Sequence, residues 1–235
     1  MTRRIHAYLL ALSPALALGA LLVAGCASPV YEGKLDPTLF LRSQAALDAT
    51  ANAQVAVIAD VSLKQFKYEH EKRGHPKLVI PVGRVVEAAA CAALSDVFGR
   101  SVVPYPTSEA AAEASRSIPH LTLVAPRPVR FELHDESMPL LLPVPYLFLM
   151  PVSTRQDVRL VVDWEVLDSD GRLLWTKRYD SGDITLPLKR TDDRDISHEY
   201  YFVHLAHEAA YTLMRQAAED VWKWIEAERL RERVL

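Results

Sequence analysis

Residues 158–179 read VRLVVDWEVLDSDGRLLWTKRY. Val158, Leu160, Val162, Trp164 and Val166 alternate with polar or smaller neighbours, the period-two pattern of a strand with one buried face. Asp168-Ser169-Asp170-Gly171 is turn chemistry. Leu173, Trp175, Lys177 and Tyr179 then return on alternate positions, so the stretch predicts an antiparallel hairpin. Upstream, Leu121–Val124 is a short apolar strand. Val129, Phe131 and Leu133 alternate with Arg130, Glu132 and His134, a strand wet on one side. Downstream, Ile184–Leu186 offers one more edge.

The first half of the chain has a different rhythm. Val55-Ala56-Val57-Ile58-Ala59-Asp60-Val61 is an apolar run rich in β-branched residues, expected as a buried strand. The charged segment Lys64–Pro76 is expected as an exposed loop or hairpin end, and Leu78-Val79-Ile80 returns to the core. Gly83 leads into a helix reaching Phe98, stopped by Gly99 as its cap. Val86, Ala90, Ala93, Leu94 and Val97 share or flank its buried face, with Arg84, Ala88 and Ser95 opposite and Cys91 near the boundary. Val102-Val103 is expected as the next strand, ended by Pro104–Pro106. Thr107 or Ser108 caps a short helix to Ser115. Asp36-Pro37 opens another helix to about Asp48, and Ser197 opens a long last one to Arg229, stapled by Ile196 and Tyr201. Strand, helix, strand, helix, several strands and a final helix give a single α+β domain. Its expected architecture is a mixed β-sheet with packed helices and a long C-terminal helix.

Composition narrows the function classes. The 27 basic and 30 acidic residues leave no basic surplus for nucleic acid, and none is expected as a partner. No nucleophile elbow, P-loop, Rossmann glycine fingerprint or CxxC pair is present, so no cofactor and no catalytic residue are expected. The acidic residues Asp60, Asp163, Glu165, Asp168 and Asp170 fall at strand-edge and turn positions, where solvated carboxylates sit. Asp168-Ser169-Asp170-Gly171 lacks the later acidic ligands of a calcium loop.

The amino-terminal stretch carries the most specific signal. Arg3 and Arg4 precede an uncharged apolar run from Ala7 to Ala24, and Leu22-Val23-Ala24-Gly25-Cys26 closes it. This segment resembles a bacterial lipoprotein leader with its lipobox. The resemblance implies that residues 1–25 are removed as a signal peptide and that Cys26 is lipidated, carrying diacylglycerol and palmitate. Removing Arg3 and Arg4 leaves 25 basic against 30 acidic residues, a formal charge of −5. Cys91 is then the one remaining cysteine, with no partner for an internal disulfide. Residues 26–36 read as a polar, turn-prone tether of at most about 35 Å, followed by the α+β domain 37–235. Ala27 and Ser28, with no Asp after the cysteine, resemble lipoproteins exported to the outer membrane and facing the periplasm rather than those retained at the inner membrane.

Val55–Val61, then Pro81-Val82-Gly83-Arg84-Val85-Val86 to Phe98, then Val102-Val103, resemble a known strand–helix–strand core. It is that of envelope lipoproteins of the curli-secretion and penicillin-binding-protein-activator group, whose fold is akin to the N-terminal domain of the Tol β-propeller protein. The likeness covers about 50 residues and is one of hydrophobic pattern. It implies a non-catalytic protein that acts through protein–protein contacts.

Three candidate sites remain. On the last helix, Phe202, Leu205, Ala206, Ala209, Leu213 and Ala217 form the buried stripe. The wheel turns Tyr200, His204, Tyr211 and Trp222 away from it, as a partner surface or as a face covered by another part of the chain. His204, His207 and Glu208 on that side are a weak metal candidate, not in a zincin order. Met138–Val152 (MPLLLPVPYLFLMPV) is uncharged and holds four prolines. It is too short and too broken for a transmembrane helix. Leu140, Leu141, Leu142, Tyr146, Leu147 and Phe148 are buried or edge strand, or they contact a membrane or ligand. The resulting expectation is a lipid-anchored accessory or assembly protein of the bacterial cell envelope. A carrier for a lipid or small apolar ligand and a periplasmic metal-dependent hydrolase are the alternatives.

Overall fold

The computed structural model describes residues 30–32, 54–71, 77–99, 102–118, 121–140, 150–185 and 198–234. In chain order the elements are β1 (Val30–Glu32), β2 (Gln54–Ile58), α1 (Val61–Gln65), β3 (Tyr68–His70), β4 (Lys77–Ile80), α2 (Val82–Phe98), β5 (Pro104–Tyr105), α3 (Ser108–Ser115), β6 (Leu121–Leu140), β7 (Met150–Leu167), β8 (Leu173–Asp180), β9 (Ile184–Thr185) and α4 (His198–Val234). The leader, Cys26 and the expected helix over 37–48 lie outside the described residues.

The main sheet runs β5-β2-β6-β7-β8, with β9 also paired to β7. β2 is parallel to β5 and β6, whereas the β6–β7, β7–β8 and β7–β9 pairs are antiparallel. The fold is therefore α+β around a mixed sheet, ending in a long helix, as the alternation predicts. A second sheet orders β1-β4-β3, with β1 parallel and β3 antiparallel to β4. Val30–Glu32, expected within the tether, is thus a strand.

One face of the main sheet holds the core. Val158, Leu160, Val162, Trp164 and Val166 are fully buried there against α2 and α4. The two helices also pack on one another. Their contact is lined with alanine: Ala89, Ala90 and Ala93 on α2, Ala206, Ala209, Ala210, Ala217 and Ala218 on α4. Small side chains let the two axes approach closely. On the opposite face α3 covers β2 and β6 through Ala111, Ile58 and Leu123.

Several local expectations are revised. Val61 is 63% exposed at the start of α1, because the Asp60 carboxylate accepts the Leu63 N–H at 2.9 Å and starts a helix there. The strand expected at Val102-Val103 is displaced onto Pro104-Tyr105, where Ala59 N–H donates to the Tyr105 carbonyl at 2.8 Å. Proline is tolerated there because β5 is an edge. Ser95 ties the chain leaving α2: its hydroxyl donates to the Cys91 carbonyl at 2.6 Å and accepts Val102 N–H at 3.1 Å. Val129 is 47% exposed, since a register shift between Pro128 and Arg130 turns it away from the face of Phe131. Gly99 caps α2 at φ 62°, and Thr107 caps α3 by accepting Ala110 N–H at 3.1 Å, both as expected.

Candidate functional site

β6 and β7 are the longest strands, 20 and 18 residues. Their ladder runs from Leu123 opposite Leu167 to Leu140 opposite Met150. Lateral partners drop away one by one. β2 pairs with β6 only as far as Val124, and Pro126 and Pro128 follow with no N–H to offer. β8 leaves β7 at Val161, and the described pairing of β9 reaches Asp157. From Gln156 to Met150 the described pairing is between β6 and β7 alone. That two-stranded stretch spans about 20 Å at 3.3 Å per residue. Leu140 is the last described residue of β6. Leu141, Leu142, Tyr146, Leu147 and Phe148 lie outside the described residues. A cavity of about 450 Å³ is lined by Lys64, Arg84, Glu87, Ala88, Cys91 and Pro104. Burial, followed by the nearby Glu87, pushes the Cys91 thiol up to about 12, so it stays protonated and a poor nucleophile.

The last helix differs from the wheel. Tyr211 is 5% exposed, and its hydroxyl donates to Asp96 on α2 at 2.8 Å. Burial, then the bond to Asp96, raises its pKa. His207 is 2% exposed, with Nδ1 2.6 Å from the Val203 carbonyl oxygen. Trp222 is partly buried and packs against the core. The reason is geometric: α4 touches the sheet on one flank and α2 on the next, so its apolar arc is wider than a single stripe. Tyr211 and His207 do not point outward. Tyr200 lies in the first turn of α4, and the described side chains begin beyond it. His204 is half-buried, and its Nδ1 finds no hydrogen-bond partner among the described residues. Among the described residues no three His, Cys, Asp or Glu side chains gather to hold a metal ion, so His204, His207 and Glu208 do not form a ligand set.

The carboxylates have structural work. Asp60 accepts Leu63 N–H and, at 2.7 Å, the Ser62 hydroxyl, and it pairs with Arg127, whose Nε lies 3.5 Å from Glu165. Burial opposes ionisation, but the Leu63 N–H, the Ser62 hydroxyl and the Arg127 guanidinium together lower this carboxyl to about 2. Asp163 holds Arg178 through two bonds of 2.6 and 2.8 Å, and Arg159 Nε donates to Asp180 at 2.9 Å. These pairs keep the β6–β7–β8 face wet where α3 does not cover it. Asp168 Oδ1 accepts Asp170 N–H at 2.9 Å and Arg172 N–H at 2.7 Å, organising its own turn. The Asp60–Arg127–Glu165 contact joins residues 67 and 38 positions apart, which no local pattern signals.

No protein-family model matches the chain, and no curated protein matches it. Among solved structures it is similar to a protein of Caulobacter crescentus CB15 provisionally called a lipoprotein. That match has 15% identity over 74% of this chain and 91% of the other, with a TM-score of 0.35. It is similar also to a Xanthomonas campestris protein of the DUF330 family model, at 12% identity over 87% and 97% of the two chains and a TM-score of 0.38. The PelC dodecamer of Paraburkholderia phytofirmans is similar at 16% identity over 71% and 91%, with a TM-score of 0.33. Likenesses this weak carry no argument about function. Among the described residues no helix is long and apolar enough to cross a membrane.

Proposed function

We propose that this chain is a non-catalytic, lipid-anchored protein of the bacterial envelope that works by contact, with residues 138–152 as the contacting segment. The observation that carries the reading is the β6–β7 ladder. Among the described residues it continues past its last lateral partner and runs into an uncharged sequence with four prolines. A hairpin that long costs backbone order. The proline pair Pro139 and Pro151, facing one another across the ladder, removes two N–H donors and discourages pairing with a stray strand. The charged start, apolar run and Gly25-Cys26 junction support acylation of Cys26. Ala27 and Ser28 support delivery to the outer membrane. The partner is an envelope protein held near the same leaflet, and neither cofactor nor nucleic acid takes part.

Two measurements test this. Mass spectrometry of the amino-terminal peptide from the native host should find diacylglycerol and an acyl chain on Cys26, and Cys26→Ser should release the protein from membranes. A photo-crosslinking residue at Leu147, activated in living cells, should give a discrete adduct with one envelope protein. An unmodified Cys26 sinks the anchor. Crosslinking indistinguishable from that of a probe at Ser169 sinks the contact role. Flotation of the unlipidated domain with plain phospholipid vesicles would reassign the segment from a protein partner to the bilayer.

A further inference from the structure

The register of β1 bears on how the body sits against the membrane. Val30 pairs with Lys77, Tyr31 with Leu78 and Glu32 with Val79 in a parallel ladder. The chain from Cys26 therefore arrives at the end of β4 that carries Lys77, where His70 of β3 sits opposite Leu78. Four residue steps separate Cys26 from Val30, at most about 14 Å fully extended. Without this pairing the polar stretch to Asp36 would reach about 35 Å. A polar headgroup layer takes up roughly 6 Å of that shorter leash. The remaining gap is narrower than the roughly 10 Å diameter of one helix. A helix does not fit between β1 and the lipid.

We infer that β1 is a docking strand that holds the Lys77 end of the small sheet against the headgroups of the leaflet in which Cys26 is anchored. This rests on the lipid-anchor reading above. The occupant of that end is the lipid surface itself, chosen by the length of chain between the anchor and the first paired residue. The small sheet is joined to the body through Tyr68, which meets Phe131 of β6 edge-on at 5.1 Å, so orienting the small sheet orients the hairpin. Leu160 lies opposite Phe131, and seven residue steps along β7 lead from it to Leu167, about 23 Å towards the β7–β8 turn. That turn should stand clear of the lipid.

The test uses the full lipidated chain in phosphatidylcholine vesicles carrying a nickel-chelating headgroup lipid. A nitroxide is placed at Glu71→Cys, beside Lys77, or at Ser169→Cys in the turn, each in a Cys91→Ala background. The Glu71 probe should be broadened by the nickel at least about threefold more than the Ser169 probe. A Gly/Ser insert of about eight residues between Pro29 and Val30 leaves β1 intact, lengthens the leash to a coil of about 20 Å and should erase that difference. Tyr31→Pro, which cannot keep the ladder, should do the same. Equal broadening at the two probes, or an insert without effect, overturns the docking. Mass spectrometry on the same sample separates the failures: an acylated Cys26 with equal broadening removes only the dock, and an unacylated Cys26 removes the anchor as well.

Discussion

Asp60 sits where three structural demands meet: the last turn out of β2, the cap of α1 and the ion pair to Arg127. Its carboxyl titrates at about 2 when folded against an ordinary 3.8, so its stabilisation is complete above about pH 4 and fades as pH falls through about 2. Asp60→Asn should cost about 1–2 kcal/mol at pH 7, allowing for its partial exposure. The gap from wild type should close near pH 2, read by denaturant melts across that range; a gap independent of pH would show that the charge is not what stabilises. Gly83 makes a sharper demand. Its N–H donates to the Phe66 carbonyl at 2.8 Å, and a Cβ there would lie 1.6 Å from the Leu63 carbonyl oxygen. Backbone meets backbone at that point, with no side chain able to yield. Gly83→Ala should destabilise the domain by about 3 kcal/mol or more despite alanine's better helix propensity. A neutral or raised melting temperature would contradict the close approach.

Elements with strong local patterns were legible in the sequence. The inner face of β7 follows from alternation, the span of α2 from amphipathicity with Gly99 at its end, and α3 from the Thr107 cap. What escaped depends on partners distant in sequence. β1 is three residues long and has no pattern of its own; β4 defines it. β5 contains a proline and is a strand because β2 lies beside it. The second face of α4 stayed open between a partner surface and a face covered by the chain itself because a wheel shows one stripe, whereas α2 meets Tyr211 from a second direction. For the candidate site, the apolar character of 138–152 was legible from composition. The length of the ladder bearing it was not, since Pro126, Pro128, Asp135 and Glu136 interrupt the alternation. The bulge at Val129 gives an element-scale test. Val129→Asp should change stability by no more than about 0.5 kcal/mol, and Phe131→Asp, two residues on at 7% exposure, should cost more than about 3 kcal/mol. Equal effects in thermal melts would place both side chains on one face and remove the bulge.

At the scale of the molecule, the register of β6 and β7 lets the apolar end of the hairpin be removed by itself. Ser137 and Ser153 are register partners, so replacing residues 138–152 by a two-residue Asn-Gly turn closes the ladder below its apolar end. The shortened chain should melt within a few degrees of wild type and should lose its envelope partner in affinity purification from crosslinked cells. Retained capture would relocate the contact surface to the body. The covering of the sheet by α4 has a consequence for biogenesis. This helix of 37 residues follows every other described element in the chain, yet it closes over Trp164 and the valines of β7. A chain exported amino terminus first exposes that sheet face before the residues that shield it arrive. Chains truncated within the last helix should therefore be sticky and protease-sensitive, as limited proteolysis of such truncations would show.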